Sequence, residues 1–303
     1  MLRLLLALSL TALGAACGAD EGADARPSAS AAASADTVEA NPATEAAFRQ
    51  ITADARAQGV ASRPFGEVVQ WTGEQLLGRP YAAGLLDAPP EETLLVDLTA
   101  FDCVLYVENV LALARSIALG QESYDDYARG VEALRYRDGA MGGYCSRLHY
   151  FSDWIADNER RGAVRNVTAA VGGEPFDKEI TFMTANRESY PKLVSDETFA
   201  CVVEMEAGLR GVELFYVPQD RIAEAYGQLQ PGDVIATATS IGGLDVTHTG
   251  FVHKSGARTG FMHASLSSNQ VKVSPDLEDY VQGVRNQVGV VVARPLDPRA
   301  ARP

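Results

Sequence analysis

Basic residues are scarce: 26 Lys and Arg stand against 40 Asp and Glu, giving a formal charge of −14 and a pI near 4.7. Such a chain presents no broad cationic surface, which excludes a grip on nucleic acid or anionic lipid through charge. Histidine and cysteine number only four each, so few side chains can serve as metal ligands or nucleophiles. Long apolar runs are missing too: the stretch 4–13 is far shorter than the ~20 residues that span a bilayer. Residues 18–44 contain no aromatic side chain and carry five acids against the single Arg26, too little apolar surface to fold. Beyond that spacer no internal repeat or second low-complexity gap occurs, so residues 45–303 read as one domain.

What is present begins with Arg3, the apolar run and small residues leading to Cys17, the pattern of a bacterial export signal. The Gly-Ala-Ala before Cys17 resembles the approach to the acylated cysteine of bacterial lipoproteins, although Gly14 stands where an aliphatic residue is usual. The expected organisation is a signal over 1–17 with Cys17 lipidated, an acidic Ala/Ser-rich linker over 18–44 and the folded domain over 45–303. With Gly18 and Ala19 after the cysteine, the expected location is the periplasmic side of the envelope as an outer-membrane lipoprotein. Membrane contact then runs only through the anchor.

Helical spacing runs through "TEAAFRQITADARAQG" and "FGEVVQWTGEQLLG", which stop at Gly59 and Gly78. From Cys103 onward, Val104, Val107, Leu111, Ala114 and Ala118 form one stripe that Leu105, Val110, Leu113 and Ile117 widen. This helix is expected to be buried on most sides until Gly120 ends it. "SYDDYARGVEALRY" and "LHYFSDWIADNERRG" read as more polar helices. After residue 210 the signals become short β-rich runs, "VELFYVP", "DVIATAT", "THTGFVHK", "GFMHASL", "QVKVSP" and "VGVVVARP", separated by turns. Helices first and strands afterwards predict an α+β fold, the buried helix packed on a mostly antiparallel sheet.

Cys103 falls in the first turn of that helix, where the dipole favours a thiolate, further helped by any histidine that approaches. His248 and His263 lie in consecutive strands, within reach of one another if they share a face. His253, an odd number of residues from His248, faces the other way. A cysteine at a helix start, a histidine on a strand and a third polar group to orient it is the arrangement used by thiol acyl-transfer enzymes.

In order along the chain, "GRPYAAG", "FDCVLYVENVLALA", "SRLHYFSDWI", "FMTANRESYPKL", "QPGDVIATATSIGGLDVTHTGFV" and "MHAS" resemble the NlpC/P60 superfamily of cell-wall peptidases and amidases. More narrowly they resemble its DUF1460 branch of N-acetylmuramoyl-L-alanine amidase-like proteins, over roughly residues 65–295. The resemblance implies a papain-like fold with Cys103 as nucleophile, His248 as general base and His263 as orienting partner. Tyr81 would supply a phenol to the oxyanion beside the Cys103 N–H, and Arg147, Tyr150 and Trp154 would line the substrate groove. Val104 and Leu105 depart from the superfamily's "DCSG" pattern, which bears on substrate detail, since the reactive positions are intact. The implied activity is cleavage of a peptidoglycan or muropeptide amide, between N-acetylmuramic acid and L-alanine, without a cofactor. Cleavage of the γ-D-glutamyl-diaminopimelate bond, or a non-catalytic muropeptide-binding module, are the rivals.

Set against these roles, a lone cysteine on an apolar helix is ordinarily core, and single histidines are ordinarily structural. Cys145 and His149 are spaced one helical turn apart, but no second close Cys/His pair accompanies them, so a zinc site is not expected. His149 and His253 are expected to be structural, His149 near the cleft. Cys145 and Cys201 belong to an exported chain in which disulfides persist, yet nothing in the sequence pairs them, and a bridge between them is left open.

Overall fold

The computed structural model describes residues 41–300; the expected export signal, Cys17 and most of the expected spacer lie outside the described residues. Helix α1 (Pro42–Ala57) takes in Pro42, Ala43 and Thr44, which composition alone assigned to the spacer. The Asn41 side chain caps it by accepting the Ala43 N–H (3.0 Å), Pro42 fills its first turn, and buried Thr44 accepts the Leu98 N–H (3.1 Å). Helix α1 thus begins three residues ahead of the expected boundary at 45.

Helices α2 (Phe65–Glu74), α3 (Cys103–Leu119), α4 (Tyr124–Arg135) and α5 (Phe151–Arg160) follow where the apolar spacing predicts helices, although α2 gives way to turns before it reaches Gly78. The Asp102 carboxylate caps α3 by accepting the Leu105 N–H (2.8 Å), and Gly120, at φ 66°, ends it in a conformation that suits glycine. Leu105, Val107, Val110 and Leu113 are wholly enclosed, each contributing ~1.5–3 kcal/mol by burial, so α3 is the axis of the core.

The remaining elements are β1 (Val164–Asn166), β2 (Glu174–Pro175), α6 (Phe182–Ala185), α7 (Asp196–Leu209), β3 (Phe215–Pro218), α8 (Ile222–Ala225), β4 (Val234–Thr239), β5 (Val246–Ser255), β6 (Arg258–Ser265), β7 (Gln270–Ser274), α9 (Leu277–Gln282) and β8 (Gln287–Pro295). The strands pair antiparallel in the order β2-β3-β8-β4-β5-β6-β7, with β1 beside β8 further along the edge that β3 also uses. Phe251, Met262 and Ala264 face α3; Val252, Phe261, Val290 and Val292 face Leu277 and Val281 of α9. The expected α+β architecture is present, with the buried helix on one face of the sheet.

Helix α7 has no counterpart in the sequence reading, because the buried carboxylate of Glu206 interrupts the apolar stripe of Phe199, Val202 and Leu209. Buried Glu206 accepts the Tyr150 hydroxyl (2.7 Å) and the Met183 and Thr184 N–H groups (both 3.1 Å). That anchor brings α7 against the turn at 144–146, and Cys145 and Cys201 form a disulfide across the junction, their Cα atoms 6.0 Å apart. The bridge that the sequence left open is thus formed, and the Cys145 sulfur is unavailable to any pairing with His149.

Candidate active site

The β5–β6 ladder runs from Phe251 opposite Met262 outward to the hairpin turn, while His248 and Thr249 pair only with β4. Cys103 meets β5 at this opening: the Thr249 hydroxyl donates to the Cys103 carbonyl (3.0 Å), fastening the start of α3 to the strand. The thiol is free and half-buried. Burial, then the neighbouring Asp102, pushes it up to about 11, against the opposing N–H and hydroxyl of Thr249 and its own N–H. The helix dipole thus does not ionise Cys103 at rest, contrary to expectation, because desolvation and the capping carboxylate outweigh it.

A β-bulge opposite β4 lies between Val246 and His248, at the point where the strand must aim its histidine. His248 Nε2 is 2.7 Å from His263 Nδ1, and His263 Nε2 is 3.0 Å from the Ser274 hydroxyl. Three adjacent strands contribute one member each. Phe261 stacks on His263 at 4.6 Å, and the Tyr280 ring of α9 lies 4.8 Å from His263 and 6.1 Å from His248. Burial lowers His248 to about 4; burial, then repulsion by His248 and Lys272, lowers His263 to about 3. Both rings are neutral, and two proton placements satisfy the row; in the one that suits a proton acceptor beside a thiol, His248 Nε2–H donates to His263 Nδ1 and His263 Nε2–H donates to Ser274. His248 Nδ1 is left as a base. Gly250 keeps the row tight, since a Cβ there would sit 2.5 Å from the Met262 carbonyl oxygen and 2.8 Å from the His263 Cβ.

Cys103 and His248 border one cleft of about 290 Å³, together with Arg135, Arg147, His149 and Tyr190. Tyr81 is held at the sheet margin by its N–H to Asn269 O (3.1 Å), and burial, then the charge of Cys103 nearby, raises its phenol. Tyr280 is raised to about 12 by the same two causes, so the sulfur has two phenols in its surroundings.

The three groove residues behave differently from one another. Arg147 lines the cleft but donates to Leu86 O (3.0 Å) and Asp87 and approaches Glu92 (3.7 Å), holding the 86–92 loop. Tyr150 also lines it, with a hydroxyl already spent on Glu206 and Met183. Trp154 is 0% exposed and stacks on Phe151 at 4.8 Å; it belongs to the core, and its placement in a groove is corrected. His149 Nε2 donates to Tyr144 O (2.8 Å) and His253 Nε2 to Glu74 Oε1 (2.9 Å), both structural as expected. Among the described residues no group of three His, Cys, Asp or Glu side chains converges as a metal site.

Thr249, Ser274, Tyr280 and Arg135 were not singled out in the sequence. Ser274 follows from the β6–β7 register, Phe261 opposite Ser274 and His263 opposite Lys272, which sets it diagonally beside His263. Tyr280 carries no local signal.

A family model described as AmiA-like, N-acetylmuramoyl-L-alanine amidase-like, matches residues 71–290. Among solved structures, an N-acetylmuramoyl-L-alanine amidase from Bacteroides uniformis is 32% identical with a TM-score of 0.73, the match covering 77% of this chain and 99% of that one. A Bacteroides fragilis protein provisionally assigned as a xylanase is 33% identical over 74% of this chain and 99% of its own, with a TM-score of 0.67. A DUF1460 protein from Legionella pneumophila, 19% identical over 83% and 94% with a TM-score of 0.60, shares the fold. No match is found among curated proteins. On the extent of the model match and the coverage of the 32% identical amidase, this chain belongs to the AmiA-like, N-acetylmuramoyl-L-alanine amidase-like family.

Proposed function

We propose that this protein is a peptidoglycan amidase that cuts between N-acetylmuramic acid and L-alanine with the thiol chemistry of the NlpC/P60 superfamily. The observation that carries this is the neutral His248–His263–Ser274 row opening onto the same cleft as Cys103. As the sulfur attacks the lactoyl carbonyl, His248 Nδ1 takes the thiol proton, and the new imidazolium is shared through Nε2–H with His263. The oxyanion is received by the Cys103 N–H and the Tyr81 hydroxyl, donors of a kind worth ~3–4 kcal/mol each in such sites. His248 returns its proton to the departing L-alanine nitrogen. It then deprotonates a water that hydrolyses the thioester, restoring the thiol.

A glycosidase needs two carboxyl groups free to act as acid and base or nucleophile. Here Glu108 is paired with Arg135 and Asp87 with Arg147, Asp102 caps α3, and Asp245 accepts the Ser152 and Val246 N–H groups (both 2.7 Å). The amidase reading is therefore preferred to a xylanase. Digestion of purified muropeptides with mass spectrometry of the new termini is the test. Free N-terminal L-alanine supports the proposal, a free diaminopimelate amine moves the cut to the γ-D-glutamyl bond, and no new termini leaves a binding module. The same proposal places the enzyme in the periplasm, anchored to the outer membrane through an acylated Cys17.

A further inference from the structure

The rings gathered around the histidine pair come from the sheet, with one exception. Phe261 of β6 is 0% exposed and lies nearly parallel to His263 at 4.6 Å, its centroid 5.8 Å from His248. Tyr280 arrives from α9, half-buried, with its centroid 4.8 Å from His263, 6.1 Å from His248 and 4.9 Å from Phe261. Separations of this size are those of rings in contact. Leu277 and Val281 seat α9 in the apolar cluster of Phe261 and Val290, and Tyr280 shares their side of the helix at the spacing i, i+3 and i+4. His263 is itself 1% exposed, with both ring nitrogens used within the row.

Charge contributes little to keeping the pair neutral. From β7, Lys272 stands opposite His263 and disfavours a proton there. From β4 and β8 come the uncharged Thr237 and Gln287, and from α3 a thiol that is neutral at rest. The acids of α9 are occupied or turned outward: Asp276 accepts the Tyr226 hydroxyl (2.8 Å), Glu278 accepts the Ala223 N–H (2.8 Å), and Asp279 is exposed. Along the cleft Asp102 caps α3, Asp245 holds the Ser152 and Val246 N–H groups, and Glu108 and Asp87 pair with Arg135 and Arg147. Burial is the first cause of the lowered basicity of both rings, so their neutrality depends on what covers them. A proton on His263 would occupy Nδ1 and reverse the bond to His248, whose own hydrogen would then sit on Nδ1, and the base would be lost.

We propose that Tyr280 is a positioning residue: its ring keeps water from the His248–His263 pair and so holds His248 in the form that can take up the thiol proton. The use of that form rests on the amidase reading, whereas the shielding does not. Tyr280→Ala opens the pair, and Tyr280→Phe keeps the ring without the hydroxyl. The first readout is the titration of the histidine rings, followed by nitrogen NMR in labelled protein. In Tyr280→Ala one or both rings of the pair should titrate at about 5 to 6, against about 4 for His248 and about 3 for His263 in wild type. The second readout is kcat/KM on an N-acetylmuramoyl-L-alanyl peptide, whose acid limb should move with the rings. The ratio of Tyr280→Ala to wild type should then fall about 4- to 10-fold further between roughly pH 7.5 and pH 5, and Tyr280→Phe should keep the wild-type limb. A ratio that is the same at both pH values, or ring titrations that do not move in folded Tyr280→Ala, would mean that the ring only packs and overturns the inference. A limb that moves as far in Tyr280→Phe overturns it too, since the hydroxyl would then be responsible. Where Tyr280→Ala does not fold, Tyr280→Leu, a smaller cover than the phenol ring, is read by the same two measurements with the same outcomes. Ring titrations that shift in a protein releasing no L-alanyl peptide would refute the amidase reading and leave the shielding standing.

Discussion

Lowering the pH tests the neutral histidine row directly. His263 takes up a proton at about 6.5 when unfolded but resists it to about 3 when folded. The unfolded chain therefore binds more protons across this interval. Stability is fully present above 6.5 and is lost as the pH falls toward 3. At about 1.4 kcal/mol per pH unit, moving from neutral to roughly pH 5 removes about 2 kcal/mol through this one side chain, which is 1% exposed. Urea unfolding of wild type and His263→Gln over that range should show the variant less stable at neutral pH, with the gap narrowing by about 2 kcal/mol at the acid end. Activity should behave differently. His248 stays neutral to about 4, so kcat/KM should change little down to about pH 5 and fall with an acid limb near 4. An acid limb near 6.5, with pH–stability curves that run parallel for the two proteins, would mean that both rings are solvated and would refute the buried relay.

Cys103→Ala should abolish release of L-alanine from muropeptides while melting within a few degrees of wild type; a turning-over alanine variant ends the thiol mechanism. Because the resting thiol sits near 11, iodoacetamide should inactivate slowly at neutral pH and faster as the pH rises, and a rate already at its plateau by neutral pH would contradict the neutral thiol. Gly250→Ala should cost ~1–3 kcal/mol in urea unfolding and lower kcat, since the added Cβ presses on the Met262 carbonyl and on His263; near-wild-type values for both would show that the hairpin yields freely. Wild type should take up a fatty-acid label and fractionate with membranes, and Cys17→Ser should do neither; unlabelled wild-type protein in the soluble fraction would remove the anchor.

The fold was legible where apolar periodicity was strong. The stripe of α3, the strands from residue 215 onward and the opposite facing of His248 and His253 all emerge from spacing, because burial on one face leaves a period. In helix α7 the stripe of Phe199, Val202 and Leu209 is broken by the buried Glu206 carboxylate, and residues 212–214 extend the apolar run without joining the strand. Cys103 and the two histidines were visible as ordered motifs. Their partners Thr249 and Ser274 were not, since a hydroxyl acquires meaning only once the strand register sets what it faces. The ionisation state of Cys103 was misjudged for a related reason: a dipole can be inferred from a helix start, but desolvation depends on what packs over it.

The row from His248 through His263 to Ser274 crosses three strands at one level, so the proposed chemistry is tied to hairpin arithmetic. Deleting or inserting a single residue within β6 would send His263 to the α3 face and Met262 or Ala264 into its place. The turns at 256–257 and 266–269 are the only points between His248 and Ser274 where chain length can change without reversing a side chain. Tolerance to length variation along this segment should therefore be confined to two short windows. A library of single-residue insertions would trace the relay as a block of silence bounded by the hairpin tips.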